Sequence, residues 1–110
     1  MLNRVEQHVL LAIAHLGDEP AYGVSLRAEI ERRSGRPVSV TAVYAALDRL
    51  ERAGLVASTL SEPRAERGGR PRKEYRLLAA GAGALAAERR RWERMWRGLD
   101  LEALEAKTSD

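Results

Sequence analysis

Apolar side chains at Val5, Val9, Ala12/Ile13 and Leu16 recur at helical spacing and predict a helix over about 4–16 with one buried face. Gly17 stands where such a helix is expected to end. Asp18-Glu19-Pro20 has the acid and the early proline of a helix start. Tyr22, Leu26 and Ile30 follow at i, i+4 and i+8, so a second helix is expected over about 21–33, ending near Gly35 and Pro37. Ser39 can cap a third helix whose inward stripe is Val40, Val43, Leu47 and Leu50, with Gly54 turning the chain out of it. Its outward positions are Thr41, Ala42, Ala45, Asp48, Arg49 and Arg52, with Tyr44 at the flank. Small residues near the start of that outward face let another surface approach closely.

The period then changes. Residues 55–60 carry the β-branched Val56 and Thr59, and residues 73–78 alternate Tyr75 and Leu77 with Glu74 and Arg76. These are two short strands, and an antiparallel hairpin is the simplest pairing. The connection, 61–72, is polar and holds Gly68, Gly69 and Pro71. A long helix is expected over roughly 80–98, with a weak start at Gly81 and Gly83. Leu78, Leu85, Trp92 and Leu99 recur every seven residues, and Met95 and Trp96 widen the stripe. A seven-residue stripe suits packing against another helix. The division expected is a helix-rich domain over 1–78, a helical arm over 79–106 and a loose tail over 107–110.

Composition narrows the function. The 110 residues are 45% hydrophobic and 32% charged, with no phenylalanine and no cysteine. One soluble domain is expected, with an aliphatic core thin enough to lean on a partner subunit. The missing cysteines exclude a disulfide scaffold, a cysteine-ligated zinc site and a thiol nucleophile. The first helix carries Glu6, Gln7, His8 and His15 within its apolar run, unlike a signal peptide, and no run suits a membrane span, so the expected location is the cytoplasm.

The net charge of +3 is concentrated in one place. Between 61 and 78, Arg64, Arg67, Arg70, Arg72, Lys73 and Arg76 face only Glu62, Glu66 and Glu74, while the rest of the chain balances. Local basic charge points to a polyanion. A charged linker would not run at once into an alternating strand, and a single Arg-Gly-Gly is no Arg-Gly repeat. The stretch is therefore a hairpin tip. Arg67, Arg70, Arg72 and Lys73 around the flexible Gly68-Gly69 are expected to meet phosphates or a narrow minor groove; the plain alternative is a solvated tip.

Three helices, a strand, a basic loop, a strand and a long helix make the winged helix-turn-helix plan: mainly α with a small β-hairpin. In that plan the third helix reads the major groove of double-stranded DNA and the hairpin tip touches the backbone. Ser39, Thr41, Ala42, Tyr44, Ala45, Asp48 and Arg49 form the candidate reading face. Tyr44 is read either as a phosphate contact or as a half-buried core residue. Arg49 and Arg52 are expected to offset Asp48 and Glu51 within the helix.

The segments "AYGVSLRAEIE" (21–31), "VSVTAVYAALDRLERAGLV" (38–56) and "RGGRPRKEYRL" (67–77) together resemble the PadR-like transcriptional regulators over about 5–99. The resemblance rests on Tyr22-Gly23, Tyr44, Leu47, Leu50-Glu51, Gly54-Leu55-Val56, Gly69 to Lys73, and Tyr75 with Leu77. Leu78-Ala79-Ala80 and Val40-Thr41-Ala42 depart from the usual family residues at those places. The resemblance implies a homodimeric DNA-binding repressor with the C-terminal helix as dimer arm, in the small subgroup with a single such helix. Leu85, Trp92, Met95, Trp96 and Leu99 are then candidates for the dimer interface, or for a cavity holding a hydrophobic or aromatic effector.

Other chemistry finds little footing. His8 and His15 share a helix face but lie too far apart to chelate one ion unaided, so no metal is expected. The serines lack a Gly-x-Ser-x-Gly setting and the glycines a phosphate-loop pattern, so neither an enzyme nor a cofactor is expected. The rival reading from another class is a winged-helix interaction module whose hairpin binds an acidic protein surface.

Overall fold

The computed structural model describes residues 1–61 and 71–109. Helix α1 is Arg4–Leu16, α2 Gly23–Ser34 and α3 Val40–Arg52; strands β1, Val56–Leu60, and β2, Lys73–Leu77, precede α4, Ala79–Trp96, and α5, Leu101–Thr108.

Local chemistry explains most boundaries. Asn3 opens α1 with a capping box: its Oδ1 accepts the Glu6 N–H at 2.8 Å, and its own N–H donates to Glu6 Oε1 at 2.8 Å. Ser39 caps α3, its Oγ accepting the Ala42 N–H at 3.0 Å. Gly54, at φ +76°, ends α3: its N–H bonds the Glu51 carbonyl and the Leu55 N–H bonds the Leu50 carbonyl, both at 3.0 Å.

The expected start of α2 is corrected. Ala21 and Tyr22 are not helical. The Ala21 carbonyl accepts the Tyr75 N–H at 2.8 Å, which ties this segment to β2. Tyr22 stays extended at φ −138° and ψ 173°, and the helix begins at Gly23.

The core lies where α1, α2 and α3 meet. Val9, Leu10, Leu26, Val43, Leu47, Leu50 and Val56 are fully buried. Ala46, not Val40, completes the inward stripe of α3; Val40 is only partly covered. β1 and β2 pair antiparallel from Val56 opposite Leu77 to Leu60 opposite Lys73. The ladder continues one step, with the Ser61 N–H donating to the Arg72 carbonyl at 2.8 Å. The fold is the winged helix expected, mainly α with one hairpin.

The C-terminal arm differs from the single helix expected over 79–106. It breaks after Trp96, with Gly98 at φ +85°, and restarts as α5 when Asp100 accepts the Ala103 N–H at 3.1 Å. α5 runs through Lys107 to Thr108, where a loose tail was expected. Leu99 thus lies in the break and off α4. The root of α4 is tight: Gly81 is buried against the Leu55 carbonyl. Further along, Glu88 Oε1 accepts the Leu2 N–H at 3.4 Å. Beyond that point the arm leaves the body, and the chain extends 60 Å along its longest axis.

Candidate nucleic-acid interface

Burying one side of α3 dictates the other. With Val43, Ala46, Leu47 and Leu50 inward, Thr41, Tyr44, Ala45, Asp48 and Arg49 are exposed and Ala42 is partly so. Ser39 is exposed too, although its hydroxyl is occupied by the cap.

Tyr44 has features of both sequence readings. It is 48% exposed, half-buried with the rest of its surface turned to solvent. Yet its ring lies flush on α2, where a Cβ added to Gly23 would come within 2.3 Å of its Cζ. Gly23 is therefore the seat of the Tyr44 ring.

The charges on α3 pair in part as expected. Arg52 meets Asp48 at 3.0 Å. Arg49 turns instead to α1, its Nε donating to Glu6 Oε2 at 2.8 Å. That hydrogen bond, helped by the Asn3 N–H, holds the Glu6 carboxyl below the usual glutamate range. Glu51 is served from the hairpin: Ser58 Oγ donates to it at 2.5 Å and Lys73 Nζ lies 3.5 Å away. These contacts, Ser58 first, lower its pKa.

The basic hairpin divides in two. Arg67, Gly68, Gly69 and Arg70 lie outside the described residues. Arg72 and Lys73 form the root, and both have partners on their own chain. Arg72 stacks on the Tyr22 ring, its Cζ 3.5 Å from the centroid, and its Nε donates to Glu74 Oε2 at 3.0 Å. Tyr75, half-buried between the hairpin and the body, has its pKa raised chiefly by burial. No spacing rule connects Tyr22 or Glu6 to these distant arginines, so their part was not visible from pattern alone; the Tyr22-Gly23 pair stood out only as a motif.

The candidate dimer or effector residues separate. Leu85 packs against the core of its own chain. Trp92, Met95, Trp96 and Leu99 project into solvent, Trp92 with 66% of its surface exposed. The two indoles form an edge-to-face pair with centroids 6.1 Å apart. A separate open groove of about 190 Å³ runs between α1 and α2, lined by His8, Leu11, His15, Glu29, Ile30 and Arg33, among others, and by none of the candidates on the arm. Both histidines border it, but the described residues hold no group of three or more acidic or histidine side chains placed for a metal. Among the same residues, no helix is long and apolar enough to cross a membrane.

The profile of the family described as "Transcriptional regulator PadR-like family" matches residues 10–87, from α1 into α4. The chain belongs to the PadR-like family. A PadR family transcriptional regulator from Eggerthella lenta is 30% identical over 92% of this chain and 82% of its own, with a TM-score of 0.66. A PadR-like transcription factor from Bacteroides fragilis is 25% identical, with coverages of 83% and 82% and a TM-score of 0.67. A Thermoplasma acidophilum protein, at 18% identity, shares the fold over 98% of this chain and 100% of its own, with a TM-score of 0.70. No curated protein matches the chain. This PadR-like protein is a DNA-binding transcriptional regulator, and the profile covers α3 and the whole hairpin while stopping short of the tryptophan pair.

Proposed function

We propose that this PadR-like chain acts as a cytoplasmic homodimeric repressor that binds an inverted-repeat operator in double-stranded DNA. The observation that carries the reading is the outward face of α3. Thr41 and Ala45 stand clear of the body and Tyr44 keeps half its surface exposed, beside a hairpin root that Lys73 links to Glu51 of α3. Small residues at the start of the helix admit the groove wall, and Thr41, Tyr44 and Asp48 can present donors or acceptors to base edges or phosphates. Arg67 and Arg70 would supply backbone contacts from the tip.

The arm supports the dimer. Trp92, Met95 and Trp96 are too large and too apolar to favour water, and they extend the stripe whose first half already packs on the chain's own body. A second copy covering them would fix the spacing of the two reading helices at about one turn of DNA, roughly 34–36 Å. The same indole pair offers faces for a flat aromatic or hydrophobic effector, which would release DNA by favouring a dimer of the wrong spacing.

A footprint on DNA flanking the gene tests the whole reading. Two protected half-sites related by a two-fold axis, about one helical turn apart, are expected. Protection of one unsymmetrical segment, or none, overturns it. Titrating aromatic compounds against tryptophan fluorescence tests the effector: a compound that releases DNA without changing that signal removes Trp92 and Trp96 from the effector role.

A further inference from the structure

Three contacts from different parts of the chain converge on one extended step, Ala21-Tyr22-Gly23. The Ala21 carbonyl accepts the Tyr75 N–H of β2 at 2.8 Å. The Tyr22 ring carries the Arg72 guanidinium at 3.5 Å. The missing Cβ of Gly23 makes room for the Tyr44 ring of α3. The step itself is braced by Ser25, whose Oγ accepts the Tyr22 N–H at 3.0 Å and donates to the Pro20 carbonyl at 2.8 Å.

We infer that Tyr22 is a positioning residue that holds the hairpin root through Arg72, while the adjacent Gly23 seats the reading helix, so that one dipeptide sets the angle between the two DNA-contacting elements. The inference rests on the DNA-binding reading above. Arg72 is shaped for this role. Its side chain is only 23% exposed, and its Nε is given to Glu74. Its N–H donates to Ser61 Oγ at 3.1 Å and its carbonyl accepts the Ser61 N–H, which pins both sides of the hairpin at the point where the tip begins. A planar guanidinium stacks on a ring face, whereas an ammonium cannot reproduce that contact. The basic charge of Arg72 therefore acts through geometry, and the phosphate contacts fall to the arginines further out.

The two roles differ in their salt dependence. Removing a phosphate contact lowers the slope of log K against log salt by about 0.9. Loosening the root leaves the bound complex unchanged and lowers only the fraction of free protein whose hairpin is ready to bind, so affinity falls with no change of slope.

The experiment uses the full chain and a footprinted operator duplex, with Tyr22→Leu, Tyr22→Phe, Arg72→Lys and Gly23→Ala. Tyr22→Leu and Arg72→Lys are expected to weaken binding about 3- to 30-fold at unchanged slope. Tyr22→Phe, which keeps the ring face, should retain wild-type affinity. In the free protein, amide hydrogen exchange at Ser61 and Arg72 should quicken in Tyr22→Leu and stay normal in Tyr22→Phe. Gly23→Ala should weaken binding by displacing Tyr44 while leaving Arg72 exchange alone. Unchanged exchange in a folded Tyr22→Leu overturns the inference, as does a salt slope that falls by about 0.9 in a fifth variant, Arg72→Ala, which removes the charge. Should the wild type bind no DNA, the DNA-binding reading fails, and the exchange measurement still decides whether Tyr22 holds the hairpin.

Discussion

Two glycines, two positions apart on α4, should respond in opposite directions to the same substitution. Gly81 is buried. A Cβ there would lie 2.3 Å from the Leu55 carbonyl oxygen and 2.7 Å from Leu77 Cδ1. The leucine methyl can swing away, but the carbonyl cannot, because it accepts the Leu78 N–H at 3.0 Å. Ordinary contact needs roughly 3.5 Å, so the first turn of α4 must retreat by about 1 Å. The next anchor along the helix is Glu88 on Leu2. Seven residues at about 1.5 Å each separate the two points, so a 1 Å retreat tilts the arm by roughly 6°. Overpacking of this kind costs about 1–3 kcal/mol, and the better helix propensity of alanine returns about 1 kcal/mol. Gly81→Ala should therefore be destabilised by about 0–2 kcal/mol. Gly83 is exposed with nothing within 4 Å of its added Cβ, so Gly83→Ala should gain about 0.5–1 kcal/mol. Urea unfolding of both variants at one protein concentration measures the difference. Equal stabilisation of the two would refute the close approach of α4 to Leu55.

Four further outcomes are expected. Ser39→Ala should cost about 1 kcal/mol by urea unfolding, and Ser39→Asp should recover most of it, since the Ala42 N–H needs an acceptor. Glu6 has a lowered pKa in the folded protein, so its contribution is present at neutral pH and is lost as pH falls through the folded value; Glu6→Gln should flatten the acid limb of the stability profile, and an unchanged limb would deny Arg49 its role there. Trp92→Glu with Met95→Glu, both exposed on the single chain, should give folded monomers by light scattering, and a persisting dimer would move the interface elsewhere. Arg67→Ala with Arg70→Ala should reduce the salt slope of DNA binding by up to about 1.8, and an unchanged slope would take the tip off the phosphates.

The reading of the sequence succeeded where the governing contacts are short-range. The bounds of α1 and α3, the cap at Ser39 and the turn at Gly54 all follow from residues within one or two helical turns. The exposed face of α3 was legible for the same reason, since an inward stripe implies an outward one. Reading failed at the start of α2, where a hydrogen bond from Tyr75, far along the chain, overrode an acceptable helix start. The arm reads as one helix because the seven-residue stripe runs across Gly98, and a stripe does not record the backbone angle that breaks it.

What the sequence by itself determined is the element order, the polarity of each helix and the place of the excess charge, for these depend on period, local propensity and composition. The tertiary structure alone decided which charges stay available. Arg49, Arg72 and Lys73 looked alike as basic residues of a binding surface, yet packing brings each a partner from elsewhere in the chain: Glu6 from α1 to Arg49, the Tyr22 ring to Arg72 and Glu51 from α3 to Lys73. It also separated Gly81 from Gly83, which are indistinguishable as letters and differ only in what the fold places beside them. Contacts of this kind join distant parts of the chain. They leave no period behind and become visible only once the core has set the distances.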